Sequence, residues 1–179
     1  MSLEGRVALV TGGTRGVGRA ISLALAEDGA DVAVNYTRDE DAAAETVAAI
    51  EKIGRRVKAY RASIQNYDED ELMVNEILED LGPISILVNN AGIASRGNSV
   101  VDTDPEELVR VVSVHAFAPH YLSKLVLPSM RNELRGDIIM ISSTATKGLG
   151  ANGAPYNMGK TAQEALAQTL YKEERKNNV

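Results

Sequence analysis

Short apolar runs recur along this chain, each followed by a polar or glycine-bearing loop and then by a segment with helical periodicity. The runs are Val7 to Val10, Val32 to Val34, Arg56 to Ala62, Ile84 to Val88 and Ile138 to Ile141. Between them, alanine- and leucine-rich stretches repeat apolar residues every three or four positions, as in Ile21, Ala24 and Leu25. Strands that alternate with helices must run parallel, because the crossover returns the chain to the same end of the sheet. The expected fold is therefore α/β: a Rossmann-type, doubly wound parallel sheet with helices on both faces. No repeat, linker or low-complexity segment divides the 179 residues, so residues 1–179 are expected to form one nucleotide-binding domain.

The first strand runs into Thr11-Gly-Gly-Thr-Arg-Gly-Val-Gly18 before a helix begins near Arg19. Glycines at such a join let a ligand approach the backbone, and the helix N-terminus adds unpaired N–H groups and a partial positive charge. By itself this turn suggests only a phosphate site. In an open parallel sheet, ligands bind beyond the carboxyl ends of the strands. The other loops expected at that end are Asn35 to Arg38, the segment at Ser63, Asn89-Asn90-Ala91-Gly92, and Ser142 to Asn152. Two long segments complete the pattern, from Pro105 to about Leu134 with a bend or new turn expected at Pro128, and from Tyr156 to Lys176.

Tyr156 and Lys160 are four apart, which puts phenol and ammonium on one helix face, about 5–6 Å apart at Cβ. A nearby cation favours a phenolate over a phenol and brings such a group toward acid–base work near neutrality. An ordinary surface pair has the same spacing. Ser142 and Ser143 end the fifth strand, where a hydroxyl could bond a substrate oxygen or simply form a turn. A hydrolase nucleophile does not fit, since no Gly-x-Ser-x-Gly elbow is present.

The net charge of -6 gives no basic field for nucleic acid or an anionic membrane. With no cysteine, no signal segment and no long apolar span, a cytoplasmic location is expected. His115 and His120 lack the partners of a metal site, so no metal is expected.

Taken together, Thr11-Gly12-x-x-x-Gly16-x-Gly18, Asn89-Asn90-Ala91-Gly92, and Ser143 with Tyr156-x-x-x-Lys160 resemble the short-chain dehydrogenase/reductase family, and within it the 3-oxoacyl-carrier-protein reductases. The resemblance spans essentially the whole chain. It implies hydride transfer between a nicotinamide and a carbonyl or secondary alcohol, with a small-molecule ketone or acyl thioester as substrate. Tyr156 would protonate the carbonyl oxygen, Ser143 would polarise it, and Lys160 would support the tyrosine and hold the nicotinamide ribose. Gly12, Thr14, Arg15, Gly16, Val17 and Gly18 would line the pyrophosphate side. Tyr36, Thr37, Arg38, Ser63 and Ile64 would lie toward the adenosine, with Asn90, Ala91 and Gly92 against its ribose.

A carboxylate after the second strand would suit an NAD ribose, whereas a 2′-phosphate wants cations. Asn35-Tyr36-Thr37-Arg38 holds no acid and Arg15 stands nearby, so NADP(H) is favoured over NAD(H). Two positions depart from the family pattern. His115 replaces an asparagine of the proton relay and would either pass protons or pack as a buried histidine. Ser63 replaces an aspartate that meets the adenine. Relatives continue beyond the Tyr-x-x-x-Lys helix into further strands and a substrate lid, so the chain is expected to be incomplete. Two alternatives to the NADP(H) reductase remain: an NAD-dependent alcohol dehydrogenase, and a sensor or scaffold that binds nucleotide without turnover. Extended relatives acting on sugar nucleotides fit less well, since a glycine stands where this chain has Arg15. Association into a homodimer or homotetramer through the long central helix and the last helix is also implied.

Overall fold

A computed structural model of the chain describes residues 2–179. Strands β1 (Val7–Val10), β2 (Asp31–Tyr36), β3 (Val57–Arg61), β4 (Ile84–Asn89) and β5 (Asp137–Met140) form one sheet in the order β3-β2-β1-β4-β5. Every neighbouring pair is parallel, with Val10 opposite Val34 on one side and Val88 on the other. Strand order reverses between β1 and β4, so the crevice of the doubly wound fold opens there.

Alternation of side chains sorts the strand residues into two cores. On one face Leu9, Ala33, Tyr60 and Leu87 pack against α3 (Tyr67–Asp80) and α5 (Ala118–Glu133) through Met73, Ile77, Leu122 and Val126. On the other, Ala8, Val10, Val32, Val34 and Val88 meet α1 (Gly16–Glu27) and α2 (Glu40–Ile53) through Ala26 and Ile50. Asp39 and Asn66 cap α2 and α3 by accepting the N–H groups of Ala42 and Asp68.

Several boundaries differ from the sequence expectation. The strand expected at Val32 to Val34 extends to Tyr36, because Asn35 and Tyr36 pair with Tyr60 and Arg61 of β3. Helix α1 starts at Gly16, inside the glycine turn. The loop from Ser142 holds a single helical turn, α6 (Ala145–Gly148), before α7 (Ala154–Glu174). No new turn begins at Pro128, since α5 runs on through it. Pro128 lies inside α5 on its exposed side, where water can take the Lys124 carbonyl that loses its N–H partner. The irregularity falls upstream, where α4 (Pro105–Val112) passes into a π-helical turn at Ser113–Phe117. There the Ala118 N–H reaches the Ser113 carbonyl, and the turn carries His115 inward.

Candidate active site

The turn after β1 is locked from several sides. Thr11 Oγ1 accepts the N–H groups of Asn90 and Ala91, both at 3.0 Å, so one hydroxyl ties the ends of β1 and β4 together across the switch point. Asn90 returns the contact, its Nδ2 donating to the Thr11 carbonyl at 2.9 Å. From β2, Asn35 accepts the Gly12 N–H and donates to the Ala62 carbonyl. Gly18 is required by close approach, since a Cβ there would lie 2.1 Å from the Gly12 carbonyl oxygen and 2.5 Å from Asn90 Nδ2. Beyond this lock, the N–H groups of Gly16 and Val17 donate to nothing among the described residues. Unpaired donors at the start of a twelve-residue helix, beside backbone that nothing covers, suit a diphosphate.

Around that turn the remaining predicted residues take varied positions. Thr14 is buried and its carbonyl accepts from Thr46 of α2. Arg15 and Arg38 are exposed, and neither side chain forms an ion pair among the described residues. Thr37 is exposed and Tyr36 half-buried. Asp39 is occupied as the α2 cap, and Glu40 pairs with Arg61 at 3.1 Å. The Ser63 N–H donates to Glu69, while Ile64 is buried in the core.

At the same end of the sheet, α7 carries Tyr156 and Lys160 and brings Lys160 to the carboxyl end of β5. Lys160 is 3% exposed, and its Nζ donates to the Ile141 carbonyl and, at 3.1 Å, to Gln163 Oε1. Burial lowers its pKa from the ordinary lysine value. No hydrogen bond joins Lys160 to Tyr156 among the described residues; the spacing put them on one helix, but the ammonium is turned toward β5. Ser143 Oγ accepts the Ala145 N–H at 3.1 Å, two residues before the short α6 turn gets under way, while Thr144 stands at the N-cap without a side-chain bond. Ser142 and Thr146 instead bond Glu164 at 2.6 and 2.9 Å, fastening this loop to α7.

His115 lies between the two halves. Its ring meets that of Tyr156 edge-on, with centroids 5.0 Å apart. Its Nε2 lies 2.8 Å from the Ile93 carbonyl and 3.3 Å from the Ile93 nitrogen, and the buried Nδ1 has no hydrogen-bond partner among the described residues. Burial pushes the imidazole pKa below its usual value; the Ile93 bond opposes this and the charge of Lys160 adds to it. The ring fits because two neighbours lack side chains. A Cβ on Gly92 would lie 2.7 Å from the imidazole, and one on Gly159 would lie 2.8 Å from the His115 Cβ. Sequence reasoning missed Gly159, Gln163 and Glu107 of α4, whose buried carboxylate accepts the Arg96 N–H and anchors the loop after Gly92. A glycine inside a helix and a glutamine three residues after Lys160 were the available signals.

A parallel sheet with its glycine turn and asparagine clasp at the switch point defines a Rossmann-type α/β protein. The family described as short chain dehydrogenase matches residues 6–179. An acetoacetyl-CoA reductase of Paracoccus denitrificans is 36% identical over 168 residues, covering 94% of this chain and 67% of that protein. A 2-dehydro-3-deoxy-D-gluconate 5-dehydrogenase of Formosa agariphila is 32% identical, covering 99% and 67%. Among solved structures, a metagenomic short-chain oxidoreductase in complex with NADP superposes with a TM-score of 0.94 at 32% identity, covering 99% of this chain and 80% of that one. An NAD+-bound xylitol dehydrogenase also gives 0.94, at 26% identity, covering 99% and 68%. The chain belongs to the short-chain dehydrogenase family, an oxidoreductase family, and spans about two thirds of the length of these two curated relatives. No helix among the described residues is long and apolar enough to cross a membrane.

Proposed function

We propose that the protein transfers hydride between NADP(H) and a carbonyl or secondary alcohol, with 3-oxoacyl thioesters as the leading substrate class. The observation that carries this reading is the buried Lys160, one helical turn from Tyr156 on α7, whose ammonium sits at the carboxyl end of β5, the same end of the sheet as the unpaired N–H groups of Gly16 and Val17. The diphosphate would rest on that turn, with Gly12, Gly18, Asn90, Ala91 and Gly92 beside it and Ser63 and Ile64 toward the adenine. NADP(H), once bound, supplies or accepts the hydride. In reduction, Tyr156 donates its phenolic proton to the substrate oxygen, and the Ser143 hydroxyl turns from the Ala145 N–H to donate to the same oxygen. Lys160 offers its charge to the phenol and an N–H to the nicotinamide ribose. His115 keeps the ring of Tyr156 in place, and its buried, unpartnered Nδ1 gives a water linking the site to Lys160 a group to bond.

Preference for NADP(H) is supported by the unpaired guanidinium groups of Arg15 and Arg38, and by the engagement of the nearest acids elsewhere. The thioester preference leans on the Paracoccus relative. Exposed Val109, Phe117, Met158 and Tyr171 on α4, the π turn and α7 support association with a second copy through these helices. The reading is tested by NADPH oxidation with an acetoacetyl thioester and with simple ketones, using the full-length protein. Turnover that falls by about 10²–10⁴ in Tyr156→Phe, with NADPH affinity kept, supports it. Tight NADPH binding without turnover across a broad carbonyl panel favours a sensor instead.

A further inference from the structure

Lys160 is the only buried lysine among the described residues; the others are all exposed. An ammonium taken out of water needs acceptors, and this one has two: the Ile141 carbonyl at the end of β5 and the Gln163 carboxamide oxygen. Gln163 is itself 1% exposed, three residues on along the same helix face. A leucine of similar volume would fill such a position without the desolvation that a carboxamide suffers there. The amide is therefore explained by its bond to the ammonium rather than by packing.

The charged groups on the elements around α7 have partners elsewhere. Glu107 of α4 holds Arg96, Glu164 of α7 holds Ser142, Thr146 and Lys147, Asp137 of β5 pairs with Arg6, and Glu174 pairs with Arg131. Arg110 of α4 is exposed. His115 of the π turn and Tyr156 of α7 are the titratable groups beside Lys160, and neither bonds it. That leaves Gln163 and the Ile141 carbonyl as the dipoles that hold the cation.

We propose that Gln163 is a positioning residue whose carboxamide oxygen holds the Lys160 ammonium at the end of β5, directing its remaining N–H toward the cleft and keeping its charge beside Tyr156. The role in turnover rests on the proposed Tyr156–Lys160 pair, whereas the hold on the ammonium does not. An ammonium with three protons and two fixed acceptors has one direction left to donate. Removing one acceptor frees it to rotate and makes its charge harder to keep.

The test follows the Lys160 side chain directly, by ¹³C NMR titration of Cε in the full-length protein, with the resonance assigned by Lys160→Arg. Gln163→Leu, close in volume, is expected to lower the Lys160 titration midpoint by about one pH unit, the loss of one bond to a charged group. Gln163→Glu is expected to raise it, and serves alone if the leucine variant does not fold. In a turnover assay the alkaline limb of the pH–rate profile should move the same way as the lysine midpoint in each variant. A lysine midpoint unmoved in folded Gln163→Leu or Gln163→Glu overturns the proposal. A midpoint that moves in a protein without turnover upholds the hold on Lys160 and overturns the catalytic reading alone.

Discussion

The two walls of the crevice are built differently. On the nucleotide wall, β1 is buried along its whole length, Thr11, Asn35 and Asn90 interlock with the backbone turn through hydrogen bonds, and Gly18 packs against it too closely for a side chain. On the opposite wall, β5 alternates between exposed and half-buried, and Ser143, Tyr156 and Lys160 contact one another through no hydrogen bond among the described residues. Under the proposed function the first wall would receive a phosphate as it stands. The second depends on side chains one step removed, namely Gln163 on Lys160, His115 against Tyr156 and Glu164 on the serine loop. A diphosphate site can be made of fixed backbone, whereas proton transfer needs groups that can change partners.

This contrast can be broken most severely with a pair of glycines. Gly18→Ala would drive a Cβ into the Gly12 carbonyl, and is expected to cost more than about 4 kcal/mol in chemical denaturation and to abolish NADPH binding. Gly148→Ala, on the other wall, meets open space and should change stability by less than about 0.5 kcal/mol. Comparable costs for the two would show that the walls do not differ in tightness.

A second effect tests whether the nucleotide side is satisfied throughout. Asp70 on α3 is fully buried with both carboxylate oxygens unpartnered, and burial, aided by Glu69, pushes its pKa up to about 7. A carboxyl whose folded pKa is raised gives its full stability below the unfolded value near 4 and loses it as pH rises toward 7. Asp70→Leu is therefore expected to stabilise the protein by about 2–4 kcal/mol at pH 8, with the gain shrinking as pH falls from 7 to 4. Thermal melts across that range would check it, and a gain that grows toward acid pH would contradict it. On the catalytic side the sign is opposite. Arg131 lowers the Glu174 pKa to about 2, so the tie between α5 and α7 should weaken as pH falls from about 4.5 to 2.

Smaller effects sharpen the picture of the lock. Thr11→Ala leaves the Ala91 N–H without its acceptor and the Asn90 N–H with the Val88 carbonyl alone, and is expected to cost about 1–2 kcal/mol, restored by Thr11→Ser. Arg15→Glu should leave stability nearly unchanged and shift the ratio of NADPH to NADH affinity by about tenfold toward NADH. Binding titrations with both cofactors measure this, and an unchanged ratio removes Arg15 from the 2′-phosphate site.

What was legible in the sequence follows the same division. The alternation of runs and the glycine turn are local patterns, and they carried the sheet, its parallel sense and the switch-point crevice. The π turn at His115, the unbroken helix through Pro128 and the inclusion of Asn35 in β2 were not legible, because each is decided by what packs or pairs across the chain. Spacing placed Tyr156 and Lys160 on one helix but could not say that the ammonium turns toward Ile141 and Gln163. Nor could it show that Gly92 and Gly159 jointly make room for an imidazole, since they are far apart in sequence.

Under the proposed function, hydride crosses this crevice from NADPH to a carbonyl carbon. Supplying NADPH deuterated at nicotinamide C4, on the transferred face, together with an acetoacetyl thioester measures that step itself. One deuterium is expected on the carbinol carbon of the product, formed far more slowly by Tyr156→Phe. Bound NADPH with no deuterium in any alcohol product, across thioesters and simple ketones alike, would contradict it.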